Sequence, residues 1–177
     1  MKRLFAIAAV MVPASAGAEV VGSSNNGFEL RHTVELRAPA QSAFEAFTQM
    51  PRWWDGNHTY SGQASNLSLT LRPGGCFCEA LPGGGGVEHM RIAFLAPNER
   101  LVMTGALGPL LFEATSGVMD IRVERRTAAG SRLTLNYKVA GFANGGAARL
   151  APLVDSVLAG QLERYRKYVD RPNLRRF

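Results

Sequence analysis

The chain has 177 residues, 46% apolar and 19% charged, a composition that excludes a disordered or fibrous protein and can fill one core. A mean hydropathy of -0.04 excludes a multi-span membrane protein. The formal net charge of +6 collects at the end, where from Arg164 onward Arg164, Arg166, Lys167, Arg171, Arg175 and Arg176 face Asp170 alone. No basic folded face is left for nucleic acid, so these cations read as a solvated helix end, or as a weak contact with an anionic membrane surface through a tail at 171–177.

Residues 1–18 read as a cleaved secretory signal: Lys2 and Arg3, an apolar run from Leu4 to Val12, then Ala16-Gly17-Ala18. The run rises about 14 Å as a helix, too short for a hydrocarbon core of about 30 Å. A mature chain from Glu19, periplasmic or secreted and without a transmembrane segment, is expected, with one domain over 19–170.

Phe28 to Arg37 alternates, with Phe28, Leu30, His32, Val34 and Leu36 on one face, as in a strand with one wet side. Pro39 opens a short helix to about Thr48 with Ala40, Ala43, Phe44 and Phe47 on one face, and Met50 to Trp54 form a second short element. A loop from Asp55 to Gln63 follows. Strands are then expected at Leu67–Leu71, Cys76–Leu81, Val87–Phe94, Arg100–Thr104, Thr115–Arg126 and Arg132–Ala140, punctuated by Pro and Gly. Ala147 to Asp170 carries Leu150, Leu153, Val154, Val157, Leu158, Leu162, Tyr165 and Val169 at helical spacing.

The expected class is therefore α+β: a curved antiparallel sheet of about six to seven strands wrapped around a long C-terminal helix, with two short helices after the first strand. A sheet gripping one helix leaves apolar space between them.

Ala38-Pro39-Ala40 through Phe44-Glu45-Ala46-Phe47-Thr48, Trp53-Trp54, Leu71-Arg72-Pro73-Gly74-Gly75-Cys76-Phe77 and the stretch from Leu158 to Tyr168 occur in that order. In this the chain resembles the START-like or SRPBCC (helix-grip) superfamily, and within it the branch of polyketide cyclases and homologues of the heat-shock chaperone ATPase activator. The resemblance spans nearly all of Phe28 to Asp170. It implies a ligand cavity more firmly than a reaction, and no cofactor.

A small hydrophobic molecule is the expected partner, lined by Phe77, Met90, Ile92, Met119, Tyr137, Leu158 and Leu162. His32 and Glu79 are the expected orienting groups, and Trp53, Trp54 and Tyr60 the cover at one end. Pairing Cys78 opposite Arg91 and Ala80 opposite His89 sets Phe77, Glu79, Leu81, Glu88, Met90 and Ile92 on one face. A cyclase or isomerase using Glu79, Glu88 or His32 as acid and base is the alternative; a protein-binding module akin to chaperone activators is a third. Cys76 and Cys78, at i and i+2, stand about 6.6 Å apart on a regular strand, the outer edge of disulfide geometry. They are read as a strained bridge, as two small strand residues, or with His89 as ligands of a soft metal. The serines lack a nucleophile elbow and the glycines at 83–86 lack a following Lys-Ser/Thr, so neither a hydrolase nor a phosphate loop is indicated.

Overall fold

Alternation along the chain becomes a single eight-stranded antiparallel sheet with a C-terminal helix across it, in a computed structural model that describes residues 17–171. The strands are β1 (Gly17–Ser24), β2 (Gly27–Leu36), β3 (Leu67–Leu69), β4 (Cys76–Ala80), β5 (Gly86–Ala96), β6 (Arg100–Gly105), β7 (Ala114–Arg125) and β8 (Ser131–Phe142). The helices are α1 (Ala40–Thr48), after β2, and α2 (Ala151–Val169). The sheet order is β1-β2-β8-β7-β6-β5-β4-β3. The chain thus crosses from β2 to the far edge through α1 and three single-turn helices, then returns strand by strand to lie beside β2.

Eight strands replace the expected six to seven, and the additional one is β1. It pairs with β2 from Gly17↔Thr33 to Ser24↔Gly27. Its Val20 and Val21 are exposed, so it carries no buried alternation to announce it. Two short helices were expected between the first strand and the meander. One full helix and the single turns Met50–Arg52, Gly56–His58 and Ala64–Asn66 stand there instead. The long helix starts at Ala151 because Pro152 fits the first turn, where its missing N–H costs nothing. The expected signal sequence lies mostly outside the described residues, as does the tail beyond Arg171. Among the described residues no helix is long and apolar enough to cross a membrane.

The core lies between the sheet's inner face and the two helices. Leu30↔Tyr137, His32↔Leu135 and Val34↔Leu133 pair across β2 and β8, and Met119↔Tyr137 and Ile121↔Leu135 continue the row into β7. Leu158, Leu162, Tyr165 and Val169 of α2 lie buried over this surface, each contributing roughly 1.5–3 kcal/mol of burial. The Tyr165 hydroxyl donates to the Ala43 carbonyl at 2.8 Å, fastening α1 to α2. Phe47, Trp53 and Tyr165 stack around this joint with centroids 5.3–5.5 Å apart. Trp53 is 3% exposed and its indole N–H donates to the Ala46 carbonyl at 3.0 Å, so it is a core residue rather than a cover.

A candidate ligand cavity with a buried histidine in its wall

The apolar stripe of α2 is uniform in sequence but not in burial. From Leu158 onward it is covered by the core. Before that point Leu153 is exposed and Val154 and Val157 are half-buried. The uncovered half faces a cavity of about 570 Å³. Leu150, just before α2, and Leu153, Val154, Val157 and Leu158 on it form one wall. Trp54, Tyr60, Leu67, Phe77, Leu107 and Leu110 supply apolar surface opposite, and Asn57, His58, Thr59, Glu113 and Arg149 the polar positions. Deeper in, beside Phe47, Met119 and Leu162, a second void is only about 10 Å³, too small to hold a ligand.

Of the residues expected to contact a ligand, Trp54, Tyr60, Phe77 and Leu158 line this cavity. Met90, Ile92, Met119, Tyr137 and Leu162 are buried in the core and do not line it. The helix fills that part of the concavity, leaving space only toward its N-terminal half. His32 does not line it either. It lies under α2, with Nε2 3.1 Å from Asp155 Oδ1. Both atoms are buried without an aligned hydrogen bond.

The hairpin of β4 and β5 departs most from the sequence expectation. Ala80 pairs with Gly86 and Cys78 with Glu88, but Phe77 pairs with Met90, so His89 is left over as a bulge. The bulge turns His89 inward beside Met90 and leaves Glu88 outside, paired with Arg91. Glu88 is therefore not a cavity carboxylate, and Cys78 faces neither Arg91 nor His89. Cys76 and Cys78 form a disulfide across this slip, their Cα atoms 5.3 Å apart. The bridge removes the thiolates that a metal site with His89 requires, and among the described residues no cluster of three metal-ligating side chains exists.

Glu79, 1% exposed, lies behind His89. His89 Nε2 is 3.0 Å from Glu79 Oε2, and the carboxylate also accepts the backbone N–H groups of Tyr60 and Ser61. Burial alone would raise the Glu79 carboxyl, but the hydrogen bonds from Ser61, Tyr60 and His89 outweigh it and hold it below its ordinary value. Burial pushes the His89 imidazole down, against the pull of Glu79. The same cause lowers His32, against the pull of Asp155. The loop after α1 is tied in further by the Tyr60 hydroxyl, which donates to the Gly108 carbonyl at 2.7 Å. Gln161 of α2 accepts the Asp55 N–H at 2.8 Å and donates to His58 Nδ1 at 3.1 Å.

Because both histidines are lowered from 6.5, the unfolded chain binds protons first as the solution is acidified. Their contribution to stability is complete above pH 6.5 and is lost as pH falls below it. The thermal midpoint is expected to drop between pH 7.5 and 5.5, and by less in His32→Leu. A midpoint that is flat across this window would contradict the burial argument.

No family model matches the chain, and no curated protein does. Solved structures share its fold. A conserved protein of unknown function from Enterococcus faecalis, EF2215, superposes with a TM-score of 0.59 at 12% identity, covering 92% of this chain and 82% of that one. CalU16 from Micromonospora echinospora gives 0.59 at 16% identity, covering 90% and 89%. Mll3558 from Rhizobium loti gives 0.56 at 20% identity, covering 80% and 98%. The likeness is one of architecture: an antiparallel sheet with a C-terminal helix.

Proposed function

We propose that this chain is an exported protein of the helix-grip type that binds a small hydrophobic molecule in the cavity beneath the first half of α2. The observation that carries the reading is the cavity itself. Its volume of about 570 Å³ falls within the range of small-molecule sites, and its wall is mostly aliphatic and aromatic side chain. An apolar helix stripe that faces open space rather than core is stabilised by an apolar guest. Export is supported by the leader-like first residues and by the Cys76–Cys78 disulfide, which persists in an oxidising compartment. Material recovered from a bacterial periplasm should begin at Glu19 and resist thiol alkylation; retained leader or free thiols would contradict export.

The cavity reading is tested with N-phenyl-1-naphthylamine, whose fluorescence rises in an apolar site. Val157→Trp places an indole in the cavity from a half-buried position of α2. It is expected to weaken the probe by about tenfold or more while moving the thermal midpoint by only a few degrees. Val118→Trp, at an exposed position on β7 away from the cavity lining, should leave binding unchanged. Equal binding by Val157→Trp and the parent protein would sink the reading.

A further inference from the structure

We propose that His89 Nδ1 is the hydrogen-bond acceptor of the cavity, and that the ligand class is a hydrophobic alcohol or phenol whose O–H donates to it. The proposal rests on the cavity-binding reading and adds the ligand's polar group to it.

The argument begins with the ring's clamp. His89 is held between Tyr60, at a centroid distance of 5.8 Å and 18° between planes, and Phe77, at 5.1 Å and 35°. Both rings also line the cavity, so the imidazole cannot turn without displacing the wall. The tautomer follows from Glu79. Its carboxylate already accepts two backbone N–H groups, from Tyr60 and Ser61, and has no hydrogen of its own to give. The contact at Nε2 is therefore N–H donating to carboxylate, and the neutral ring carries its lone pair on Nδ1. Burial disfavours the imidazolium and keeps that lone pair available at neutral pH.

Of the other polar side chains of the wall, Asn57 is exposed to solvent, and the rest make hydrogen bonds or ion pairs with the protein. The Tyr60 hydroxyl donates to Gly108, His58 Nδ1 accepts from Gln161, the Thr59 hydroxyl donates to Gly56, and Arg149 pairs with Glu113. Among the described residues lining the cavity, His89 is the one polar side chain that is buried, at 5% exposure. Among the described residues no protein group bonds Nδ1; the hydrogen bond of the ring is made at Nε2. An acceptor set in an apolar wall penalises any guest that cannot donate to it, which is how such sites discriminate.

A matched pair of probes, 2-naphthol and 2-methoxynaphthalene, tests this at pH 7.5 by displacement of N-phenyl-1-naphthylamine. The ether is the more hydrophobic of the two, so a featureless cavity prefers it. The protein is expected to bind the naphthol about tenfold more tightly than the ether, and His89→Phe, which keeps an aromatic ring in the clamp, to lose that preference while still binding the ether. Since His89→Phe removes a partner of Glu79, a second readout needs no variant. The 15N spectrum of the parent protein should show His89 protonated at Nε2, and its Nδ1 resonance should move on adding 2-naphthol and not on adding the ether. Equal affinities, or an Nδ1 resonance indifferent to the naphthol, overturn the assignment and leave the cavity standing. Failure of all three naphthalenes to bind overturns the cavity reading and this inference with it.

Discussion

Replacing Glu79 with alanine is expected to destabilise the protein by about 3 kcal/mol or more. The carboxylate is buried on β4 and joins three segments: its own strand, the Tyr60–Ser61 loop and His89 on β5. Alanine leaves two backbone N–H groups and an imidazole without their acceptor in a site water reaches poorly. Glu79→Gln keeps the shape and an accepting oxygen but forfeits the charge, and should cost about 1–2 kcal/mol. The pH dependence of the difference carries a defined sign. Glu79 is held below its ordinary 4.5, so its contribution is complete above that pH and disappears as pH falls through the lowered value. The gap between parent and Glu79→Ala in urea should therefore be widest near neutrality and close in acid. A Glu79→Ala midpoint within about 0.5 kcal/mol of the parent at pH 7 would mean that the loop is held by its other ties, and the account of this cluster would fail.

How much of this was legible in the sequence depends on whether a feature is written in periodicity. The strand over Phe28 to Arg37 and the hairpin joining Thr115 to Ala140 alternate cleanly, and they appear as β2, β7 and β8 within a few residues of the expected bounds. The bulge at His89 on β5 is also written in the sequence. In the first half of the strand Val87, Met90 and Ile92 are the apolar positions, and they change parity between 87 and 90. That change is what an inserted residue does to a strand, and it moves His89 from the outer face to the inner one. β1 was masked by a competing pattern, because its first residues coincide with the expected cleavage site. The place of the cavity was not written at all. Leu153, Val154, Leu158 and Leu162 look alike along α2, and which of them meets core depends on what the loop at 53–63 and the turn at Gly108–Phe112 bring opposite. The same non-local packing made His32 a neighbour of Asp155 and left Met119 and Tyr137 in solid core.

Gly75→Ala should cost about 3 kcal/mol or more, whereas Gly74→Ala, one residue earlier, should cost about 1–2 kcal/mol. Gly74 has φ +74° and open space around an added Cβ, so its penalty is the left-handed backbone alone. At Gly75 a Cβ would stand 1.8 Å from the Thr70 carbonyl oxygen and 2.8 Å from that of Arg72. Both obstacles are main chain, and neither is free to move. The Gly75 N–H donates to the Arg72 carbonyl, the Thr70 N–H to the Cys76 carbonyl, and the Ile92 N–H to the Gly75 carbonyl, at 2.8, 3.0 and 2.8 Å. Relief of the clash must therefore open the turn that leads into β4, and the next residues are Cys76 and Phe77. Phe77 is one of the two rings that clamp His89 and also part of the cavity wall. The steric fault should consequently appear in binding as well as in stability. Gly75→Ala is expected to weaken N-phenyl-1-naphthylamine by about tenfold beyond Gly74→Ala under conditions where both remain folded, since loss of a packed wall ring removes apolar contact from the guest. Denaturation midpoints that rank the two variants equally would show that the turn relaxes without disturbing the strand, and would separate the fold of this edge from the function proposed for it.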